Sequence, residues 1–185
     1  MFKKLSVSLI AFLLISWGII SMAEAKNNKK VLVAYFSASG VTAKVADKLA
    51  KATGADLFEI KPTKPYTQAD LDWTNKKSRS SIEMDDRNSR PKIANKVSNM
   101  SQYDIIFVGF PIWWYREPSI IDTFMESYDF SGKQIIPFAT SGGSGMGDSG
   151  SIMQKLAPKA TVDSGKRFSS GVLENDLRAW AKKWL

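Results

Sequence analysis

The sequence predicts a doubly wound α/β domain, with a five-stranded parallel sheet and helices on both faces. Continuous apolar runs such as VLVAYF (31–36) and IIFVGF (105–110) are typical of strands buried on both faces of a parallel sheet. Amphipathic helical patterns alternate with these runs along the chain. The composition, 44% hydrophobic and 24% charged, is that of an ordinary globular domain.

The first half of the domain begins with the strand over 31–36 and continues into a helix over 41–53. The apolar side chains of this helix recur at the spacing of one helical face. Gly54 follows at the position where a left-handed residue commonly ends a helix. A short strand over 56–60 comes next and ends before Pro62.

The connection over 61–90 lacks clean periodicity, and we expect a helix near residues 74–84 within it. A polar helix is predicted over 91–100. A connection this long is often functional in a compact domain. A solvated excursion is the alternative, and otherwise Tyr66, Trp73, Glu83 and Arg90 could cover a bound ligand.

The second half repeats the alternation of strands and helices. Pro137 is unexpected in its strand, because a central strand loses a ladder hydrogen bond at proline. The closing helix is amphipathic, with two tryptophans on its inner face. The predicted elements are a strand over 105–110, a helix over 119–128, a strand over 134–139, a helix over 152–157, a last strand within 160–168 and a helix over 174–185.

Residues 1–25 are predicted to be a secretory signal peptide. MFKK gives a positive start, an apolar stretch follows, and Ala23-Glu24-Ala25 is a small-x-small cleavage site. The alternative is an uncleaved membrane anchor, because the apolar stretch approaches the length of a membrane span. We therefore expect an exported protein, periplasmic or secreted, whose domain covers residues 26–185 and has no stable membrane insertion after cleavage.

The charge and the residue types that are absent exclude several functions. Loss of Lys3, Lys4 and Glu24 reduces 26 basic and 18 acidic residues to 24 and 17, a net charge of +7. The basic residues form no stripe with interleaved aromatics, so nucleic acid is not expected as a partner. The sequence contains no His and no Cys, which excludes Ser-His triads, Cys nucleophiles and His or Cys zinc sites. Redox chemistry would have to come from a cofactor.

Three loops follow predicted strands at the edge where ligands bind in doubly wound sheets. In the first, Ser37, Ser39 and Thr42 supply hydroxyl groups, and Gly40 lets the backbone approach a ligand. The helix that follows offers free N–H groups to an anion. The loop has no Lys or Arg, which suits a phosphate that stays in place rather than one that is transferred. A serine-rich turn that caps a helix is the alternative.

The second loop places three aromatic residues side by side, Trp113, Trp114 and Tyr115, after Pro111 and Ile112. Adjacent side chains cannot all point into the core. Aromatic faces exposed at this edge suit stacking on a flat ring, with about 0.5–1.5 kcal/mol per contact beyond burial. The alternative is one tryptophan packed inside and the others on a partner surface.

The third loop, residues 140–150, is rich in glycine. Its G-x-G-x-x-G match at 145–150 does not directly follow its strand or open the first βαβ unit, so we do not interpret it as a dinucleotide fingerprint. We expect the backbone N–H groups of the Thr140, Ser141, Gly142 and Gly143 stretch to face the polar edge of a heterocycle. A phosphate loop, an aromatic face and an amide-rich edge together indicate FMN as the ligand.

These residues resemble the flavodoxin family, and the resemblance spans about residues 30–185. The family's phosphate loop corresponds to Ser37-Ala38-Ser39-Gly40-Val41-Thr42. Its G-[FY]-P-I-W-W stretch corresponds to residues 109–114, and its PF-x-TSGGSG run to residues 137–145. The resemblance implies the strand order 2-1-3-4-5, non-covalent FMN and electron transfer. Pro111, Ile112, Trp113 and Trp114 would contact the flavin, and no catalytic or metal-binding side chain is implied.

Two further features concern function. Flavodoxins are commonly acidic and cytosolic, whereas this chain is basic and carries an export signal. We expect a redox protein or a small electron acceptor as its partner. The alternative functions are an FMN-dependent NAD(P)H:quinone-type reductase and a binding module that has lost its flavin.

Overall fold

The computed structural model describes residues 29–185. The predicted signal peptide, residues 1–25, lies outside the described residues. Within the described part of the chain, no helix is long and apolar enough to cross a membrane.

Strands and helices alternate as the sequence predicts, and all strand pairs are parallel. The sheet order is β2-β1-β3-β4-β5, with β6 also beside β4, so the predicted doubly wound fold and strand order are confirmed. The elements are β1 Val31–Tyr35, α1 Val41–Thr53, β2 Asp56–Glu59, α2 Arg79–Asp85, β3 Ile105–Pro111, α3 Ser119–Glu126, β4 Gln134–Thr140, α4 Ser149–Leu156, β5 Thr161–Val162, β6 Lys166–Phe168 and α5 Glu174–Ala181.

The sheet is buried on both faces because alternate residues of each strand point to opposite sides. In β1, Leu32 and Ala34 pack with α3 and α4, whereas Val31 and Val33 pack with α1 and α5. The continuous apolar run of β1 is therefore explained by two cores rather than one. Gly54 ends α1 in the left-handed conformation, with φ 68°, as predicted.

The unexpected proline lies where the sheet is interrupted. Ile135 O accepts from the Asp163 N–H at 2.9 Å, so the backbone groups of Ile135 point away from β3. Those of Pro137, two residues later, point the same way. Beside Pro137, the segment between β5 and β6 has left the sheet. The proline therefore costs the sheet no ladder hydrogen bond. The single last strand expected within 160–168 is therefore two short strands around this interruption.

The polar helix predicted over 91–100 is wrong. Residues 92–94 pair with the chain after β2, through Thr63 N–H to Lys92 O at 2.8 Å and Ala94 N–H to Lys61 O at 2.7 Å. This pairing satisfies backbone groups that a helix would otherwise satisfy. Within residues 91–102, the only helical segment is a single 3₁₀ turn, Met100–Gln102. The helix expected near residues 74–84 begins later, at Arg79, because Ser78 caps it by accepting from the Ser81 N–H.

Candidate functional site

The three loops of the predicted site follow β1, β3 and β4, which are neighbours in the sheet. A buried hydrogen bond of 2.8 Å joins the hydroxyl groups of Thr42, at the start of α1, and Thr140, at the end of β4. The strand order therefore brings together segments that are almost 100 residues apart in the sequence.

The first loop enters α1 through Gly40, whose φ of 81° favours glycine. No side chain of the described residues caps the helix, so the alternative of a serine cap is not what the structure shows. The Thr42 hydroxyl is used by Thr140 instead. The Ser37 hydroxyl is buried and has no hydrogen-bond partner among residues 29–185. A buried hydroxyl without a partner is costly, so a ligand that accepts or donates here would stabilise the loop.

The second loop is a tight turn at the end of β3. Trp113 and Arg116 exchange backbone hydrogen bonds of 2.9 and 3.1 Å, and between them Trp114 and Tyr115 have φ values of 44° and 64°. Two consecutive left-handed residues define a type I′ turn, which ordinarily selects Asn and Gly. Bulky aromatic residues in this conformation are strained, at about 1–3 kcal/mol each.

The turn separates the three aromatic side chains. Trp113 packs edge-on against Phe36 and Tyr66, with ring centroids 5.7 and 5.4 Å away. Trp114 is 44% exposed and Tyr115 is 74% exposed. Trp113 is thus partly buried against the core, while the next two aromatic residues are exposed.

The third loop packs closely on the second. A Cβ on Gly147 would overlap the carbonyl oxygen of Tyr115, so only glycine fits there. Gly150 lies in α4 against residues 163–164, where a Cβ would be 3.1 Å from the Asp163 oxygen. These glycines serve close packing, which agrees with rejecting a dinucleotide fingerprint. The Gly143 N–H donates to the Ser141 hydroxyl at 3.1 Å and is not held open as expected.

A cavity of about 490 Å³ lies between the loops. Two residues of the first loop and five of the second line it, namely Ala38, Ser39, Pro111, Ile112, Trp113, Trp114 and Tyr115. Ser37, Gly40, Val41 and Thr42 flank Ala38 and Ser39 in the chain but do not line the cavity, and neither does the segment 140–143. Of the residues predicted for the site, the structure therefore brings only these members of the first and second loops to the cavity wall.

The cavity wall also contains residues that the sequence did not assign to the site: Ser144, Leu71 and Ser80, with Trp73 from the connection suggested as a cover. Trp73 is 74% exposed and, with Trp114, also borders a second cavity of about 980 Å³. In the sequence, a tryptophan within a polar stretch was the feature that could have predicted this part of the cavity wall. Leu71 and Ser80 gave no such signal, because only the folding of the connection brings them here.

The other residues suggested as a cover have structural roles. The Tyr66 hydroxyl donates to the Glu83 carboxylate, and the Arg79 guanidinium lies 4.0 Å from the Tyr66 ring centroid. Burial, followed by the Glu83 carboxylate, raises the pKa of Tyr66 well above its ordinary value. Arg90 forms a two-bond pair with Glu126, at 2.8 Å for each bond. Tyr66 packs against Trp113, and Arg90 does not line the 490 Å³ cavity.

Behind the turn lies a buried charged cluster that the sequence analysis missed. Arg116, Glu117 and Asp122 are all nearly inaccessible to solvent, and Arg116 Nη1 lies 3.1 Å from Asp122 Oδ2. Burial and the nearby Asp122 carboxylate raise the pKa of Glu117 to about 8. The only signal in the sequence was an acidic residue next to arginine in an otherwise apolar segment.

Comparisons with known proteins agree with this geometry. The family model described as Flavodoxin matches residues 30–184. A candidate flavoprotein from Bacteroides eggerthii DSM 20697 is 49% identical with a TM-score of 0.80, over 84% of this chain and 98% of that chain. A candidate flavoprotein from Bacteroides uniformis ATCC 8492 is 46% identical with a TM-score of 0.79, over 83% and 98%.

A flavoprotein from Lactobacillus acidophilus NCFM, solved in complex with FMN, is 24% identical with a TM-score of 0.61, over 83% of this chain and 99% of that chain. At this identity the likeness shows the fold alone. No curated protein matches the chain. The match of the family model over residues 30–184, together with the strand order and the three loops, shows that the chain belongs to the flavodoxin family.

Proposed function

We propose that this protein binds FMN non-covalently at the three loops and functions as an electron-transfer protein. The observation that carries the proposal is the buried Ser37 hydroxyl, which has no partner among the described residues and lies beside the uncapped start of α1. FMN supplies one- and two-electron redox chemistry when bound. The side chains of this protein bind and orient it.

The phosphate end would be held by Ser37, Ser39 and the backbone N–H groups that begin α1. A helix N-terminus favours an anion through its free N–H groups and its dipole. Residues 37–43 contain neither acidic nor basic side chains, so neutral donors would hold the phosphate. Thr42 has a positioning role, since its hydroxyl ties this loop to β4.

The ring end would occupy the cavity of about 490 Å³, a volume in the range of small-molecule sites. Its wall combines the exposed aromatic residues Trp73, Trp114 and Tyr115 with apolar Pro111 and Ile112. Such a wall excludes water from one side of a flat ring and offers stacking surfaces.

The sequence supports electron transfer as the role of the bound flavin. The chain has no His, the side chain that most often serves as a general base near neutral pH, and no Cys nucleophile. The predicted export signal supports a location outside the cytoplasm, where the chain would acquire FMN. The proposed partner is a redox protein or a small electron acceptor.

A titration of the purified protein with FMN and with riboflavin tests the binding. We expect saturable FMN binding with a changed flavin absorbance spectrum, and weaker binding of riboflavin, which lacks the phosphate. Ser37→Ala should weaken FMN binding about five- to tenfold, because one hydrogen bond to a charged group is lost, and leave riboflavin binding unchanged.

The matched control is Ser127→Ala, which removes a surface hydroxyl at the end of α3 and should change neither affinity. If the protein binds no FMN at micromolar concentration, and the flavin absorbance spectrum stays unchanged, the proposal is refuted. Steady-state oxidation of NADPH, with and without a quinone, separates a carrier from a reductase. We expect no turnover in either condition.

A further inference from the structure

Directly behind the aromatic turn, one buried arginine is shared by two buried carboxyl groups. Arg116 is 3% exposed, Glu117 is 0% exposed and Asp122 is 3% exposed. Charged side chains are almost never this deeply buried unless they are paired. One arginine cannot neutralise two ionised carboxyl groups, so the pairing of charges in this cluster is uneven.

The guanidinium contacts one oxygen of each carboxyl group. Arg116 Nη1 donates to Asp122 Oδ2 at 3.1 Å and lies 3.4 Å from Glu117 Oε1, and it also donates to the Glu117 carbonyl at 3.1 Å. Arg116 Nη2 donates to the Ser119 hydroxyl at 3.0 Å. The second oxygens, Glu117 Oε2 and Asp122 Oδ1, are buried and have no donor among residues 29–185.

Surrounding charges do not resolve this imbalance. Arg90 Nη1 lies 3.9 Å from Asp122 Oδ2, but Arg90 is already paired with Glu126 of α3 through two bonds. From α2, Glu83 gives only its carbonyl to Ser119, while its carboxylate pairs with Arg79.

On the side of α4, the buried Ser149 hydroxyl makes no hydrogen bond of ordinary length within the described part of the chain. It lies near enough to Glu117 to lower the pKa of that carboxyl group slightly, and burial and the Asp122 carboxylate outweigh this effect. Exposed Arg87, Asp148 and Lys155 line a cavity of about 530 Å³ that also borders Arg116 and Asp122. These three groups are solvated, so they screen the buried pair weakly. If both acids were ionised, the buried cluster would carry a net negative charge.

The two carboxyl groups are close enough to hydrogen-bond to each other when one of them is protonated. One proton would therefore satisfy both oxygens that lack a donor, because a protonated carboxyl group donates to a carboxylate beside it. Burial is the largest effect on both acids and raises the pKa of each. For Glu117 the neighbouring Asp122 carboxylate adds to it, and its pKa is about 8. The raised pKa values agree with the uneven pairing, because protonation of one acid removes one of the two buried negative charges.

The cluster is joined covalently to the strained turn. Arg116 is the last residue of that turn, and its backbone closes it onto Trp113. Left-handed conformations at Trp114 and Tyr115 persist only where the surroundings enforce them. The buried guanidinium contacts four acceptor oxygens, on Glu117, Asp122 and Ser119, and so anchors the end of the turn.

We propose that Glu117 and Asp122 share one proton, and that this protonated pair is the positioning element that fixes Arg116 and so holds the Trp114–Tyr115 turn in its FMN-binding conformation. The part that concerns FMN rests on the proposed function. The shared proton itself is a property of the protein without flavin.

The sign of the pH dependence follows from the raised pKa values. The contribution of Glu117 to stability is complete below the ordinary pKa of a glutamate, and it is lost as the pH rises through its folded pKa of about 8. Above it, both acids are ionised and repel each other, and water enters from the neighbouring cavity. The turn then relaxes, and FMN affinity falls by up to tenfold per pH unit.

Glu117→Gln provides the test, since glutamine keeps the shape and a donor but cannot lose a proton near pH 8. In the flavin-free wild type, tryptophan fluorescence should titrate near pH 8, and the infrared spectrum at neutral pH should contain a protonated carboxyl band. Both signals should be absent in the variant. FMN affinity of the variant should stay constant between pH 7 and about pH 9, whereas that of the wild type declines.

Glu174→Gln is the matched control, because Glu174 also pairs with an arginine, Arg178, but on the exposed surface of α5. It should behave as the wild type. Asp122→Asn serves if Glu117→Gln fails to fold, with the same expected loss of both signals.

An unchanged fluorescence titration in Glu117→Gln, or a carboxyl band that neither variant removes, would overturn the proposal. If the flavin-free signals behave as expected but FMN does not bind, the proposed function fails and the shared proton stands. If FMN binds with the same pH profile in wild type and variant, the positioning role fails.

Discussion

At the scale of single residues, two glycines at opposite ends of α1 have the same backbone requirement and different surroundings. Gly40 and Gly54 have φ values of 81° and 68°, and a Cβ at either would meet no atom within 4 Å. Only conformational strain, not crowding, therefore opposes a side chain there. Gly40 lies within the proposed phosphate loop and Gly54 does not.

We expect Gly40→Ala and Gly54→Ala to lower the free energy of unfolding by a similar amount, about 1–2 kcal/mol each. Only Gly40→Ala should weaken FMN binding, about tenfold, because relaxation of its strain moves the N–H groups that begin α1. Chemical denaturation and FMN titration measure the two effects. Equal FMN affinities of the two variants would argue against a phosphate at this loop.

At the scale of elements, the interruption between β5 and β6 lets β4 accept a proline. Gly165, with φ 77°, turns the chain against Pro137, and a Cβ there would lie 2.5 Å from the Pro137 oxygen and 2.9 Å from Met146 Cε. The family resemblance could place Pro137 in a strand but gave no reason for its tolerance. That reason lies in a neighbouring strand whose register the sequence does not reveal.

Gly165→Ala should therefore lower the free energy of unfolding by about 2–4 kcal/mol, since strain and overlap with backbone add together. Thermal and urea unfolding of the flavin-free protein measure this. Gly171→Ala, at an exposed glycine with open space around it, is the control and should change stability by less than about 0.5 kcal/mol. If the two variants are equally stable, residues 163–165 do not pack on β4 as described.

At the scale of the whole molecule, the net charge of +8 distinguishes this chain from acidic flavodoxins. A positive surface stabilises the negative charge that reduction adds to a bound flavin, so it should raise the midpoint potential. The residues that would hold the phosphate are uncharged, so this effect would come from the distributed surface charge.

We expect the midpoint potential of bound FMN to fall by a few tens of millivolts when salt rises from about 0.02 to about 0.5 M, as screening removes the surface contribution. Free FMN in the same buffers corrects for the effect of salt on the flavin itself. A potential that is independent of salt, or that rises with it, would contradict a role for the basic surface.

The sequence by itself determined the parallel sheet, the order of most elements and the place of the proposed phosphate loop after β1. It could do so because continuous apolar runs, helical periodicity and glycine at chain reversals are local consequences of burial and backbone geometry. Residues 91–100 show where this reasoning stops, since their polar pattern suited a helix, but pairing with residues 61–63 satisfied their backbone instead.

Only the tertiary structure decided which side chains meet. It separated Trp113 from Trp114 and Tyr115 through a strained turn, brought Leu71, Trp73 and Ser80 to the cavity, and enclosed Arg116 with two acids. These outcomes depend on contacts between segments far apart in the chain, which no local pattern encodes. The energies that settle them, burial of charge and uneven pairing, arise only once the surrounding elements have packed.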